Sequence, residues 1–299
     1  MHFRDFITSR PVIQAGLFVG QYMPRQVGYG LAQIISRIIA CRKPQVYWTV
    51  RANLRQIVGS EVDGGVLHEM ARQVFFHAGR TYYDFFHAIG QPPEVLIDAV
   101  QIPEAFIERI KSEMARGQGV LLLGTHMSNF DLAALALGAH GLHIQMLSVA
   151  NPQAGFYVLN RLRADGGLEV TPITPESLRA AIRRLKSGGL VLTGMDFPIP
   201  QDRELIEVFG RPAYLPVGSV RMALMTGATV FMGGCHYEAS DEGYVLEITG
   251  PIEMVRTGDR WQTILTNTRQ LAAILEGYVR AHPEQWMMFH PFWSELPTA

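Results

Sequence analysis

His126 and Asp131 stand five positions apart in Gly119–Asp131, GVLLLGTHMSNFD, directly after a short apolar run. An imidazole oriented by a carboxylate can take a proton from an alcohol near neutral pH, which is the general-base half of a serine triad with the serine left out. Five residues of ideal helix turn about 500°, roughly 140° out of register at 3.6 residues per turn, so the two side chains cannot meet within one regular helix. They can meet if His126 sits in the turn after a strand and Asp131 lies in the first turn of the helix that follows. The same stretch also reads as capping chemistry, with Ser128 as N-cap and Asp131 three positions on, where a capping-box side chain reaches back. A protein nucleophile is not in sight. There is no G-x-S-x-G elbow, Gly218-Ser219 lacks its flanking pattern, and Cys235 and His236 would point to opposite faces of a strand. The proton therefore comes from a substrate hydroxyl.

The elements that must hold this pair follow from periodicity. After the turn-like QPPE at Gln91–Glu94, short β-prone runs alternate with helical ones. Strands are expected at Gly119–Leu123, His143–Val149, Leu168–Ile173, Leu190–Met195, Ala228–Cys235 and Gly243–Thr249. Helices are expected at Asp131–Ala139, Gln153–Ala164, Pro175–Lys186, Val217–Met225 and Arg260–Arg280. This alternation predicts an α/β fold, a largely parallel mixed sheet flanked by helices, with antiparallel pairing near Gly243. Asp196 follows one strand as His126 follows another. If those strands run parallel, both residues emerge at the carboxyl edge, where ligands of open α/β sheets collect. Asp196 also reads as a turn former before Phe197-Pro198.

Residues 1–90 read as an N-terminal helical region and 91–299 as the α/β core, the two forming one continuous domain. Leu31, Ile34, Ile35, Ile38 and Ile39 recur at helical spacing opposite Gln33, Ser36 and Arg37, and Arg42, Lys43 and Pro44 close that helix. Further helices are expected over about Val46–Val58 and Gly65–Ala88, the latter rich in aromatic residues. This region either packs as a helical subdomain or also rests in lipid headgroups, and both can hold together.

The chain has 299 residues, 48% of them hydrophobic and 18% charged, so it can bury a core and is not a disordered segment. Its net charge of −1 hides an asymmetry. Residues 1–62 carry eight Lys/Arg against two acids, a balance of +6, and the rest of the chain carries −7. A basic, apolar front fits an anionic lipid surface; its basic residues alternate with aliphatics instead of clustering as nucleic acid would require. The two cysteines, Cys41 and Cys235, form no CxxC and no zinc spacing, so a reducing compartment is the default. No signal peptide is expected. The best apolar segment, PVIQAGLFVGQYMP, stops at Pro24 after 14 residues, short of the roughly 20 a spanning helix needs. His282 and His290 are eight apart with no third ligand at metal-like spacing, so no metal is expected.

HMSNFD matches the H-x-x-x-x-D/E motif of the glycerolipid and lysophospholipid acyltransferase superfamily. GMDFPIPQDRE, IEVFGRPAYLPVGSVRMALMTGATV and the ending HPEQWMMFHPFW make the chain resemble, in order from about Arg51 to Trp293, the branch of lipid A late acyltransferases and phosphatidylinositol mannoside acyltransferases. The resemblance implies that His126 deprotonates an acceptor hydroxyl, that Asp131 holds the imidazole, and that the alkoxide attacks an acyl thioester without an acyl-enzyme. It implies an acyl-CoA or acyl-carrier-protein donor, a membrane lipid or glycolipid acceptor, no cofactor, and residence at the cytoplasmic face of the bacterial plasma membrane. It implies substrate-binding roles for Asp196, for Glu207 at an acidic position that contacts the sugar acceptor, for Arg163 (with Arg161 second to it) toward substrate phosphate, and for Arg203. Lipid A enzymes begin with a spanning helix; its lack here favours peripheral attachment and leaves the acceptor open. A thioesterase in which His126 activates water, or a non-catalytic lipid-binding scaffold, fits the same residues.

Overall fold

The computed structural model describes residues 10–150, 154–197, 202–240 and 243–293. Among the described residues four helices lead: α1 (Arg10–Tyr22), α2 (Arg25–Arg42), α3 (Gln45–Val58) and α4 (Gly64–Ala88). Pro24 and Pro44 sit in extended backbone at the N-caps of α2 and α3, because a proline in a helix interior lacks its N–H and clashes with the preceding turn. Asp63 caps α4 by accepting from the Gly65 and Val66 amides at 2.7 and 3.3 Å. Small residues let α2 lie close on α4. A Cβ added at Gly28 would fall 2.1 Å from the Tyr83 ring, and one at Gly79 would fall 2.8 Å from Ala32.

The direction in which α2 presents its apolar stripe is the main departure from the sequence pattern. Ile39 is buried, together with Gly28, Ala32, Ser36 and Ala40. Leu31, Ile34, Ile35 and Ile38 are 40–55% exposed. Ser36, on the side that reads as polar, is fully buried and bonds the Gln33 carbonyl. The small-residue seam packs inward, and the bulky aliphatic seam faces out.

The core then runs α5 (Pro93–Ala99), β1 (Val100–Gln101), α6 (Glu104–Ala115), β2 (Val120–Gly124), α7 (Phe130–Ala139), β3 (Ile144–Ser148), α8 (Ala154–Asp165), β4 (Glu169–Pro172), α9 (Pro175–Lys186) and β5 (Leu190–Gly194). It continues with β6 (Arg203–Val208), β7 (Arg211–Pro216), α10 (Gly218–Thr226), β8 (Thr229–Glu238), β9 (Gly243–Ile252), α11 (Arg260–Ala281) and a short 3₁₀ turn at Pro283–Gln285. Seven strands form one sheet in the order β1-β9-β8-β2-β5-β3-β4, parallel except for the antiparallel β8–β9 pair. β6 and β7 form a separate hairpin that the sequence pattern did not disclose. Its two-residue turn is Phe209-Gly210, both at positive φ (50° and 72°), as a twist-matched hairpin turn requires. Phenylalanine is an uncommon choice there. Its amide is held by the Glu276 carboxylate at 2.7 Å, and its ring packs edge-on against Trp293.

β2 lies at the centre and is buried on both faces, hence its unbroken apolar run. Leu121 and Leu123 enter the core that includes Leu271 of α11, Trp286 and Trp293. Val120 and Leu122 enter the opposite core with Leu132 and Leu135 of α7. Ile13 of α1 and Phe85 and Phe86 of α4 belong to that second core as well, so the leading helices and the sheet share buried surface.

Candidate active site

β2 pairs in parallel with β5, Gly124 opposite Gly194. His126 and Asp196 each lie two residues beyond those partners and so leave the carboxyl edge of the sheet side by side. The Asp196 carboxylate is fully buried and takes three bonds: from His126 Nδ1 at 2.6 Å, from the His126 amide at 2.9 Å, and from Trp286 Nε1 at 2.9 Å. A carboxylate accepting from Nδ1–H fixes the tautomer and leaves Nε2 as the free base. The ring keeps 34% of its side-chain surface accessible. Burial works against a charged His126. The charge and hydrogen bond of Asp196 outweigh that, Asp131 adds to them and Arg163 opposes, so its pKa rises above 6.5. Asp196 likewise would be pushed up by burial, and the His126 and Trp286 contacts instead hold it below the usual carboxylate value.

Asp131 does not orient the imidazole. It is the second residue of α7, and its two oxygens face the Arg163 fork, Oδ1 to Nε at 2.8 Å and Oδ2 to Nη2 at 2.9 Å. Both side chains are buried. The ring nitrogen that Asp131 would have held is already taken by Asp196, and Asp131 acts on His126 only through its charge. The same pair engages the Arg163 fork, and its third nitrogen, Nη1, donates to Asn160 Oδ1 at 2.7 Å. Ser128 is not the cap of α7. Asn129 is, its Oδ1 accepting the Leu132 amide at 3.3 Å, while Ser128 adopts a left-handed φ of 41° with its hydroxyl buried and without a hydrogen-bond partner. A non-glycine residue held at positive φ is strained, and such strain often collects at functional turns.

A cavity of about 260 Å³ opens at this point, lined by His126, Asp131, Arg163, Thr81 and Gly194 and by an apolar wall that includes Tyr82, Phe85, Phe130, Leu159, Leu192 and Met288. Phe130 meets the His126 ring edge-on, with centroids 5.1 Å apart, and also lines a smaller void of about 50 Å³ behind it. Thr81 brings a buried hydroxyl without a hydrogen-bond partner. Arg203 and Glu207 lie on the β6–β7 hairpin and do not line the cavity; the Arg203 guanidinium stacks on Tyr214 at 4.3 Å. Arg161 is exposed and faces Asp165 at 3.8 Å. Part of the turn that leads from Asp196 to the hairpin, residues 198–201, lies outside the described residues.

The C-terminal segment reads as an apolar packing strip but also braces the site. Gln285 O accepts the Ser128 amide at 2.8 Å, Trp286 holds Asp196, and the Met287 amide donates to His126 O at 2.9 Å. An indole placed among polar motif residues was the available signal. Among the described residues, no helix is long and apolar enough to cross a membrane.

Two comparisons with known proteins bear on the identity of the chain. The family model for bacterial lipid A biosynthesis acyltransferases matches residues 3–295. A phosphatidylinositol mannoside acyltransferase of Mycobacterium tuberculosis (strain CDC 1551 / Oshkosh) is 24% identical over 191 residues, 62% of this chain and 58% of the relative. A protein of the same description from Mycolicibacterium smegmatis is 21% identical over 248 residues, 82% of this chain and 78% of the relative. The match thus spans under two thirds of the mycobacterial tuberculosis relative.

Proposed function

The chain belongs to the bacterial lipid A biosynthesis acyltransferase family, and from that premise we propose that it moves a fatty acyl chain from a thioester, acyl-CoA or acyl-carrier protein, to a hydroxyl of a membrane lipid or glycolipid of lipid A precursor or mannoside type. The observation that carries this reading is the His126–Asp196 pair at the mouth of a largely apolar cavity. Nε2 takes the acceptor hydroxyl proton as the oxygen attacks the thioester carbonyl. The tetrahedral intermediate collapses with loss of the thiolate, the imidazolium returns the proton to sulfur, and an ester and a free thiol leave. Asp196 aligns the ring and stabilises its charged form. The Asp131–Arg163 pair keeps the cavity wall in place. The thioester is already activated, so the step uses no cofactor and no acyl-enzyme.

The acceptor is delivered from a bilayer. Phe18 and Tyr22 of α1 and Val27, Leu31, Ile34, Ile35 and Ile38 of α2 are 40–70% exposed. Contiguous apolar surface of this kind marks an interaction site. Arg25, Arg37, Arg42 and Lys43 are exposed on the same helix and its end, suited to anionic headgroups. We place the protein peripherally at the cytoplasmic face of the plasma membrane, where acyl-CoA and acyl-carrier protein are found.

Labelled acyl-CoA, purified protein and vesicles carrying the acceptor test the chemistry. Label should pass to lipid, and His126→Ala should lower that rate by at least about 10²-fold. Label recovered only as free fatty acid would replace transfer with thioester hydrolysis. Full transfer by His126→Ala would remove the base assignment, and lipid binding without turnover would make the protein a scaffold.

A further inference from the structure

On the face of the β8–β9 ladder covered by α11, outside the lining of the acyl-transfer cavity, three side chains with metal-ligand chemistry converge. His236 of β8 is buried, Glu247 of β9 is exposed, and His282 is the C-cap of α11. One ligand atom from each lies within 4.8 Å of the other two. The register explains the meeting. Gly234 pairs with Glu247 and His236 with Val245, so His236 and Glu247 are diagonal neighbours on one face, and the end of α11 delivers His282 onto them. The two imidazoles stack with centroids 4.0 Å apart and planes 13° from parallel. Glu238, on the same face of β8 two residues on, adds a second carboxylate whose charge reaches His236. Sequence spacing pointed away from a metal because His282 has no third ligand near it in the chain; the fold supplies its partners from two strands.

We propose that His236, Glu247 and His282 form a site for a divalent transition metal, Zn²⁺ foremost, with water as the fourth ligand. Two imidazole nitrogens and one carboxylate oxygen are a ligand set that zinc takes in tetrahedral geometry, and a hard cation such as Mg²⁺ would prefer oxygen alone. The two rings stack, so metal binding requires them to separate and rotate until a nitrogen of each reaches the ~2.0–2.1 Å of a zinc bond. None of the three residues lines the acyl-transfer cavity, so the ion takes no part in the proton transfer. Its place is structural. His282 opens the segment in which Gln285 holds the Ser128 amide, Trp286 holds Asp196 and Met287 holds the His126 carbonyl. A metal there ties the β8–β9 ladder to the brace behind the catalytic turn.

The test uses the full chain without a histidine tag, stripped with a chelator and titrated with Zn²⁺ by calorimetry and with Co²⁺ by visible absorption. One equivalent per chain is expected, with the visible bands of four-coordinate cobalt and a higher melting temperature once the site is filled. Glu247→Ala, at an exposed strand position, keeps the fold by circular dichroism and weakens binding at least about 10-fold; His282→Ala, which also removes the melting shift, serves as the second variant. Absence of stoichiometric uptake by the wild-type chain overturns the proposal. So does uptake that both variants retain at wild-type affinity, because the ion would then sit elsewhere.

Discussion

The carboxylate that orients His126 comes from 70 residues downstream, not from the next turn of chain. That pairing carries a pH signature. Burial favours the neutral ring, but Asp196 outweighs it and holds the pKa above 6.5. A base works deprotonated, so kcat/KM should climb with pH and level off above that raised value. The stabilising increment runs the other way: it is fully present below about 6.5, the unfolded value, and is lost as pH rises through the folded one. Asp196→Asn should move the acid limb of the rate profile to lower pH and reduce the plateau by about 10²–10⁴-fold. An acid limb that stays where it was in Asp196→Asn would leave the ring without its assigned partner. Asp131 gives a contrasting expectation. Its buried fork with Arg163 makes Asp131→Asn a stability variant, since it strands a buried guanidinium at a cost of about 3–5 kcal/mol. Urea unfolding measures that loss, and Asp131→Leu with Arg163→Met should recover much of it. Unchanged unfolding with abolished turnover would instead return Asp131 to the chemistry.

At the scale of elements, β2, β3, β4, β5, β8 and β9 and helices α7 to α11 could be read from the chain because their signals are local, while β1, α5, α6 and the β6–β7 hairpin could not. β2 is a short buried apolar run, β3 and β5 open on buried aliphatic residues, α9 opens on a Thr174 capping box, and prolines start α2 and α3. What could not be read depends on neighbours far away in sequence. His126 lies beside Asp196 because β5 is placed next to β2, and five-residue spacing to Asp131 carries no information about strand order. The β6–β7 hairpin is hidden because Phe209 is a poor residue for its turn and is tolerated through Glu276 and Trp293. The α2 stripe shows a different gap. Periodicity reports which residues share a face and is silent on what covers that face. Gly28 and Ala32 marked the inward seam, since only small residues allow Tyr83 and Gly79 so near.

For the molecule as a whole, the outward stripe and the charge asymmetry point the same way. The +6 balance lies in residues 1–62, which include the exposed isoleucines, and the −7 balance lies in the remainder. If the protein docks on an anionic bilayer as proposed, the bilayer would attract the first and repel the second, so electrostatics would orient the approach and apolar insertion would hold it. The two contributions separate experimentally. Sedimentation with vesicles rich in anionic lipid should weaken as salt rises, because exposed charges are screened beyond about 10 Å at 0.1 M. Ile34→Ser with Ile38→Ser should weaken binding at every salt concentration, on the order of 10- to 100-fold, from the apolar area no longer transferred. Folding stability in solution should change by less than about 0.5 kcal/mol, since neither side chain is buried in the free protein. Turnover should fall on acceptor-bearing vesicles and persist with acceptor dispersed in detergent micelles. Vesicle binding equal to wild type in that variant would assign the stripe to another contact and require a different membrane face for the enzyme.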